Sequence, residues 1–222
     1  MSSAGRFEIE RVPVTPFHQN CSLVWSPETR HAFIVDPGGD TDKLLARVEA
    51  VGLVIDAILL THGHLDHVGG AAHLYAALEA RQGKGSVRLI GPSREDEFLL
   101  HSVEAQAAHF GMTDLGSVQP EQYTSDGETL TVLNRTYQVR HIPGHTPGHV
   151  VFFDDHDKVL FAGDTLFRGA VGRTDFPYGD GKQLIDSIRR KIIPMGDDVM
   201  VLPGHGAPTT IGEERKHNPF LQ

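Results

Sequence analysis

Short apolar runs separated by glycine, proline and charged residues cover this chain, and their lengths and periods predict strands followed by helices, twice over. Phe7 to Val14 alternates apolar and polar positions, and Cys21 to Trp25 and Ala32 to Val35 read as further short strands. Asp36-Pro37-Gly38-Gly39 breaks the pattern. Asp40 or Thr41 is placed to cap a helix that carries Leu44, Leu45 and Val48 on one face before Gly52 ends it. The run Ile58-Leu59-Leu60 then predicts a buried parallel strand, and Leu74, Ala77 and Leu78 predict a helix leaving directly after Gly69-Gly70 and closing near Gly83. Val87 to Ile90 is expected as a strand. Ser93 to Phe110 is expected as one helix started by Ser93, with acids in its first turn and Gly111 as its stop. Residues 112 to 128 lack a period and predict a surface connection.

The second half follows the same order. Leu130 to Leu133, Tyr137 to Ile142, Val150 to Phe153 and Val159 to Ala162 predict four strands, joined pairwise by Asn134-Arg135 and by Asp154 to Lys158. Leu184 to Ile193 predicts a helix, Val199 to Leu202 a last strand, and Ile211 to His217 a short polar helix. Two face-to-face sheets with helices outside are the economical architecture for this mixed α/β (α+β type) pattern. No linker separates the halves, so residues 1–222 are expected to form one domain.

Chemistry-bearing residues gather where the apolar runs stop. After Leu60 come Thr61 and then His62, His64, Asp66 and His67, four ligand types within six residues. The end of a buried parallel strand is where open α/β sheets place their sites. His62 and His64, two apart in extended backbone, can point into one cavity. Asp66 and His67, at a helix entry, can face a second point, so the spacing suggests two metals. Three other strand ends repeat the pattern: Pro143-Gly144-His145, Gly163-Asp164 and Pro203-Gly204-His205, each with glycine beside the ligand type. Five imidazoles and two carboxylates suit a borderline divalent ion such as zinc better than calcium or magnesium. The remaining histidines, His18, His31, His73, His101, His109, His141, His149, His156 and His217, are expected to be surface or hydrogen-bonded residues.

Composition narrows the field. At 222 residues with 39% hydrophobic content, the chain can build a full core without staples. A net charge of -9 argues against nucleic-acid binding, which needs cationic side chains to neutralise phosphate. One cysteine, Cys21, excludes an intramolecular disulfide and a thiolate cluster, and reads as a small core residue. Met1 to Glu10 shows no basic segment followed by an apolar stretch, and no run approaches the roughly 18 apolar residues of a membrane span. The expectation is a cytoplasmic protein, monomeric or weakly homo-oligomeric, with no membrane partner.

The segments Thr61-His62-Gly63-His64-Leu65-Asp66-His67, Pro143-Gly144-His145-Thr146-Pro147-Gly148-His149, Gly163-Asp164-Thr165-Leu166-Phe167 and Pro203-Gly204-His205-Gly206 together resemble the metallo-β-lactamase superfamily. Within it the chain resembles the short, single-domain glyoxalase II-like hydrolases (hydroxyacylglutathione hydrolases). The resemblance implies a four-layer αββα sandwich with a dinuclear site. It implies that His62, His64 and His145 bind one metal, that Asp66, His67 and His205 bind the other, and that Asp164 bridges them. Zinc is the expected metal, with iron or manganese as alternatives. Long glyoxalase II enzymes add a helical carboxy-terminal domain that holds glutathione, whereas this sequence stops at Gln222. Their site loop also offers a lysine and a tyrosine. Arg173 falls at the lysine position, but Asp175 stands where the tyrosine would be.

Two divalent ions about 3.5 to 4 Å apart bring a shared water to a pKa near 7. Asp66 and Asp164 cancel two of the four positive charges and the hydroxide a third, leaving charge suited to a developing oxyanion. A thiol leaves as thiolate and needs no acid, so hydrolysis of a small-molecule thioester is the expected reaction. A β-lactamase is disfavoured by the amine leaving group and absent export signal, and a tRNA-processing phosphodiesterase by the acidic charge. The enzyme rival is a mononuclear-iron persulfide dioxygenase, a family that Gly172-Arg173-Thr174-Asp175-Phe176 also resembles. A non-catalytic metal-binding interaction module is the bland reading. Arg173, on a glycine-rich loop, is a candidate clamp for an anionic group of the thiol portion, or else a structural ion pair with Asp175 or Asp180.

Overall fold

In the computed structural model, which describes residues 5–222, two β-sheets face each other and share the central core. The part of the leader reading that concerns residues 1–4 lies outside the described residues. The first sheet holds β1 (Glu8–Val14), β2 (Gln19–Trp25), β3 (His31–Val35), β4 (Val54–Leu59) and β5 (Arg88–Ile90) in that order. Its first three strands pair antiparallel, while β3, β4 and β5 are parallel. Crossovers run through α1 (Thr41–Val51) and through α2 (Leu65–Val68) with α3 (Ala71–Gln82). Further helices α4 (Glu97–His101) and α5 (Val103–His109) follow β5.

The second sheet collects β6 (Thr129–Val132), β7 (Arg135–His141), β8 (Val150–Asp154), β9 (Val159–Gly163), β12 (Met200–Pro203) and β13 (Thr209–Thr210), with β6 and β13 as its edges. A two-stranded ribbon, β10 (Leu166–Phe167) with β11 (Ala170–Val171), stands after β9. Helices α6 (Gly181–Ser187) and α7 (Ile211–His217) belong to this half.

Side-chain alternation explains the layering. In β3, Ala32 and Ile34 face the helices of the first half, whereas Phe33 and Val35 face the other sheet. In β8, Val150 and Phe152 face the first sheet, whereas Val151 and Phe153 meet Leu184 and Ile211 of α6 and α7. The result is four layers, αββα, with Phe33 packed edge-on against Tyr137 and Phe161 at the centre. Among the described residues no helix is long and apolar enough to cross a membrane.

Several expectations are corrected. Asp40 does not cap α1: its backbone is left-handed, and its carboxylate instead accepts from Thr15 N at 3.0 Å. The 93–110 segment is three pieces, a 3-10 turn (Arg94–Asp96) and then α4 and α5, because the helical dihedrals lapse at Ser102. Ser93 caps nothing and bonds Glu95. The β6–β7 turn is Leu133-Asn134, both at positive φ, as a two-residue hairpin of this hand requires. Arg135 opens β7 and is buried between Asp154 and Asp157. The 184–193 helix starts earlier, at Gly181, and widens to a π-turn over Ile188–Ile192. A one-turn helix, α2, precedes α3. The 112–128 connection carries no named element, yet Leu115 and Val118 are buried against the first core. Cys21 is fully buried in that core.

Candidate metal centre

The strand-to-helix loop after β4 is held by one buried carboxylate. Asp36 Oδ1 accepts from Thr61 N at 2.7 Å, and its Oδ2 accepts from Thr61 Oγ1 at 2.6 Å and from His67 Nδ1 at 2.9 Å. From the other sheet, Val150 N donates to Thr61 O at 2.8 Å, so the loop is tied to both layers. A second buried carboxylate, Asp96, accepts from Gly63 N (2.9 Å), Thr146 Oγ1 (2.7 Å) and Gly148 N (2.6 Å). It therefore joins the loop bearing His62 and His64 to the loop bearing His145. Burial pushes Asp96 up to about 6, against the pull of those three donors.

Two triads result. His62, His64 and His145 present ring nitrogens within 4.8 Å of one another, and so do the ligand atoms of Asp66, His67 and His205. Asp164 stands between them: Oδ1 is 3.3 Å from His67 Nε2, and Oδ2 is 3.7 Å from both His145 Nε2 and His205 Nε2. The structure thus brings all seven predicted ligand residues into one cluster, the first triad extending from β4 and the β7–β8 loop, and the second from α2 and the end of β12.

The hydrogen bonds of His62, His64, His67 and His145 occupy one ring nitrogen of each with an outer partner and leave the other toward the ligand cluster. His62 Nδ1 donates to Thr61 Oγ1 (3.0 Å), His67 Nδ1 to Asp36, and His145 Nδ1 to Arg173 O (2.7 Å). His64 turns the other way: Nε2 donates to Tyr178 OH at 2.9 Å, while Nδ1 approaches His62 Nε2 at 3.2 Å. The buried atoms His67 Nε2, His145 Nε2 and Asp164 Oδ1 have no hydrogen-bond partner. Unpartnered buried polar atoms are costly, and here one ring nitrogen from each triad, with an Asp164 oxygen between the triads, makes a donor set that fits divalent cations.

Electrostatics of the metal-free cluster are divided. Burial drives His62 and His145 below the ordinary imidazole value and His64 to about 3. Burial also opposes charge on His67, but the carboxylates of Asp164 and Asp66 outweigh it and hold that imidazole well above its usual value. His205 is likewise raised, by Asp66 and Asp164 against its burial. In return Asp66 and Asp164 lie below the carboxylate range, although burial alone would raise them.

Glycines let the backbone come this close. A Cβ at Gly204 would lie 2.3 Å from Asp164 Oδ1 and 2.4 Å from His67 Cε1.

The cluster floors an open cavity of about 460 Å³, lined also by Arg173, Phe176 and Tyr178. A larger hollow of about 840 Å³, between Thr15, Asp42, His73 and Asp114, contains none of these residues. Arg173 Nε and Nη2 each donate to Asp175 at 2.7 Å, and the guanidinium lies 4.6 Å over the Phe176 ring.

The superfamily profile for metallo-beta-lactamases matches residues 14–205. The chain belongs to the metallo-beta-lactamase superfamily. It is 46% identical over 214 residues to hydroxyacylglutathione hydrolase GloC of Haemophilus influenzae, covering 96% of this chain and 97% of that one. Among solved structures it resembles TTHA1623 in a di-iron-bound form (TM-score 0.83, 37% identity, covering 96% and 100% of the two chains). It also resembles BLEG-1 B3 metallo-beta-lactamase (TM-score 0.84, 33% identity, covering 96% and 99%). A hydrolase-type metal-binding fold is thus established for this superfamily member.

Four residues of the centre escaped the sequence reading. Asp36 looked like a turn residue, and Asp96 like a helix-dipole acid. His149 looked like the start of a strand. Its ring stacks on His62 at 4.5 Å, and its Nε2 accepts from Asp164 N at 3.0 Å. The repeated Pro-Gly-His in the 143–149 segment was the available signal. Tyr178 had none. Asp175, at the position expected for a tyrosine, faces Arg173 instead, and the hydroxyl that reaches the cluster comes from Tyr178.

Proposed function

We propose that this protein is a binuclear metal-dependent thioesterase acting on S-acyl thiols such as hydroxyacylglutathione. The observation that carries the reading is Asp164, whose carboxylate reaches imidazoles of both triads. His62, His64 and His145 would hold one ion, Asp66, His67 and His205 the other, with Asp164 shared. Zinc is the expected metal, and iron or manganese would fit the same donors. Similarity to GloC and to a di-iron protein supports both parts of the proposal. When bound, such a pair supplies a nucleophilic water at neutral pH and polarises a carbonyl.

The chain's own groups do the rest. Asp36, Thr61, Arg173 O and Tyr178 set the imidazole orientations, so the donor atoms are arranged before a metal arrives. Burial excludes water from behind the cluster, and Asp66 and Asp164 keep its net charge low. Burial holds the Tyr178 phenol at about 12, so it is a protonated hydroxyl across the neutral range and cannot serve as a base there. A thiolate departs without an acid, whereas the amine released from a β-lactam needs a proton. Arg173, at the cavity wall, is the proposed contact for an anionic group of the thiol portion. The reading is of a cytoplasmic enzyme, monomeric or weakly self-associating, without nucleic-acid or membrane partners.

The test is metal analysis of natively purified protein, with assays on S-lactoylglutathione and glutathione persulfide. Two ions per chain, falling to one in His205→Ala, with thioester turnover, is the expected result. One ion with oxygen consumption on the persulfide and no thioester turnover would make it a persulfide dioxygenase instead. No turnover of either would favour an interaction module.

A further inference from the structure

Aromatic side chains stand on two sides of the ligand cluster, and the two sides differ in charge. Beside the first triad, Phe176 and Tyr178 stack at 5.4 Å with planes 11° apart, and Phe176 lies 4.7 Å from the His64 ring. The Arg173 guanidinium covers Phe176, so a cation belongs to this side. Elsewhere on the wall, Phe17 and Phe110 meet edge to face at 5.4 Å and remain 38% and 55% exposed.

The Phe17 side adjoins the second triad. Phe17 occupies the turn between β1 and β2, and that hairpin is pinned next to His205. Asn20 N donates to Gly204 O at 2.7 Å, and Asn20 Nδ2 donates to Pro203 O at 3.1 Å and to Gly206 O at 2.9 Å. Phe110 follows α5, where its N–H donates to Ala107 O at 3.0 Å. The rings therefore come from separate segments, each anchored by its own backbone. Outside the metal-ligand set, Arg173 is the only charged side chain among the described residues lining the cavity.

An exposed aromatic pair at the mouth of a site offers apolar surface that a ligand can cover. A thioester carbonyl placed at the ligand cluster sends its acyl and thiol arms apart, because the carbonyl carbon is trigonal. An anionic thiol arm goes with Arg173, and the acyl arm is left with the uncharged side. We propose that Phe17 and Phe110 form the acyl-binding wall, and that the preferred substrates are thioesters of bulky apolar or aromatic acids. This rests on the thioesterase reading above and adds the class of acyl group.

The experiment uses metal-loaded, full-length protein and S-acylglutathiones that share one thiol: lactoyl, butanoyl and phenylacetyl. From lactoyl to phenylacetyl, kcat/KM is expected to rise at least about tenfold, the scale set by burying a phenyl ring. The Phe17→Ala/Phe110→Ala double variant should lower the phenylacetyl-to-lactoyl ratio by about tenfold. The ratio is insensitive to a partly unfolded preparation, which lowers both rates together. Calorimetry with S-benzylglutathione and S-methylglutathione, which cannot be hydrolysed, supplies a second readout. The benzyl compound should bind at least about tenfold tighter, and the double variant should erase the difference. Hydrolysis that favours lactoyl, or a ratio unchanged in the double variant, overturns the acyl wall while the thioesterase reading stands. If no S-acylglutathione is hydrolysed, both fall.

Discussion

The Tyr178 hydroxyl stands 2.9 Å from His64 Nε2, on the face of the imidazole turned away from His62. It accepts the Nε2 proton and so leaves Nδ1 for the cluster, the reverse of the arrangement at His62, His67 and His145. Outer partners of this kind are worth about 10- to 100-fold in metal affinity. Tyr178 is half-buried, so the low end applies. Tyr178→Phe keeps the ring stacked on Phe176 and removes only the acceptor. About a tenfold weaker first metal site is expected in chelator competition, with an unchanged urea midpoint. Equal affinity in the variant would mean that packing alone orients His64.

Asp96 gives a prediction about stability. Its carboxylate satisfies two backbone N–H groups and a hydroxyl within a fully buried junction of two ligand loops. Asp96→Asn presents an amide N–H to at least one of those donors. A buried donor left without an acceptor costs about 1–3 kcal/mol, so urea denaturation of the metal-free variant should show a loss in that range. A change below about 0.5 kcal/mol would contradict the role assigned to the junction.

Metal-free protein should be most stable near pH 6.5, the ordinary imidazole value. His67 and His205 have raised values when folded, so their contribution is complete below that pH and is lost as pH rises through the folded values. His62, His64, His145 and His149 are lowered by burial. They resist protonation that the unfolded chain accepts, and stability falls as pH drops below about 6.5. Asp66 and Asp164 extend the loss below about pH 4, and Asp96, raised to about 6, partly offsets it between about 4 and 6. Metal loading fixes ligating imidazoles as neutral, so the alkaline decline should vanish. Thermal midpoints from pH 5 to 9, with and without chelator, check this. A metal-free midpoint that climbs from pH 6.5 to 8.5 would refute it.

Arg173 separates a clamp from a scaffold. Asp175 takes Nε and Nη2, yet both side chains are about two-thirds exposed, so the pair is a weak competitor for a substrate carboxylate. Arg173→Ala should raise KM for an anionic glutathione thioester by about three- to tenfold with kcat nearly constant, and leave a small uncharged thioester almost unaffected. Equal losses on both substrates would point to loop support, which Arg173 also provides through its carbonyl on His145.

The ligand set was legible because its members cluster just beyond apolar runs, five of the seven beside a glycine, a local signal. The sheets were legible for the same reason: Ile58, Leu59, Val150 and Phe161 announce buried strands by their own neighbours. Asp36, Asp96 and Tyr178 act through partners distant in sequence, and nothing adjacent to them marks those contacts. Segments of two residues, such as Leu166–Phe167 and Thr209–Thr210, are too short to show a period. At the break, the Ser102 hydroxyl donates to Leu99 O at 3.0 Å, a local bond that the helical period of the surrounding residues does not show.

Each triad draws residues from both sheets, His62 and His64 with His145 in one, Asp66 and His67 with His205 in the other. An ion held in either place is therefore a cross-link between the halves of the chain, closing long loops that the unfolded polypeptide would otherwise leave open. Its loss leaves that joint to the packing and hydrogen bonds between the halves. Loaded protein should accordingly unfold in urea as one unit, and a chelator present during the titration should lower its midpoint.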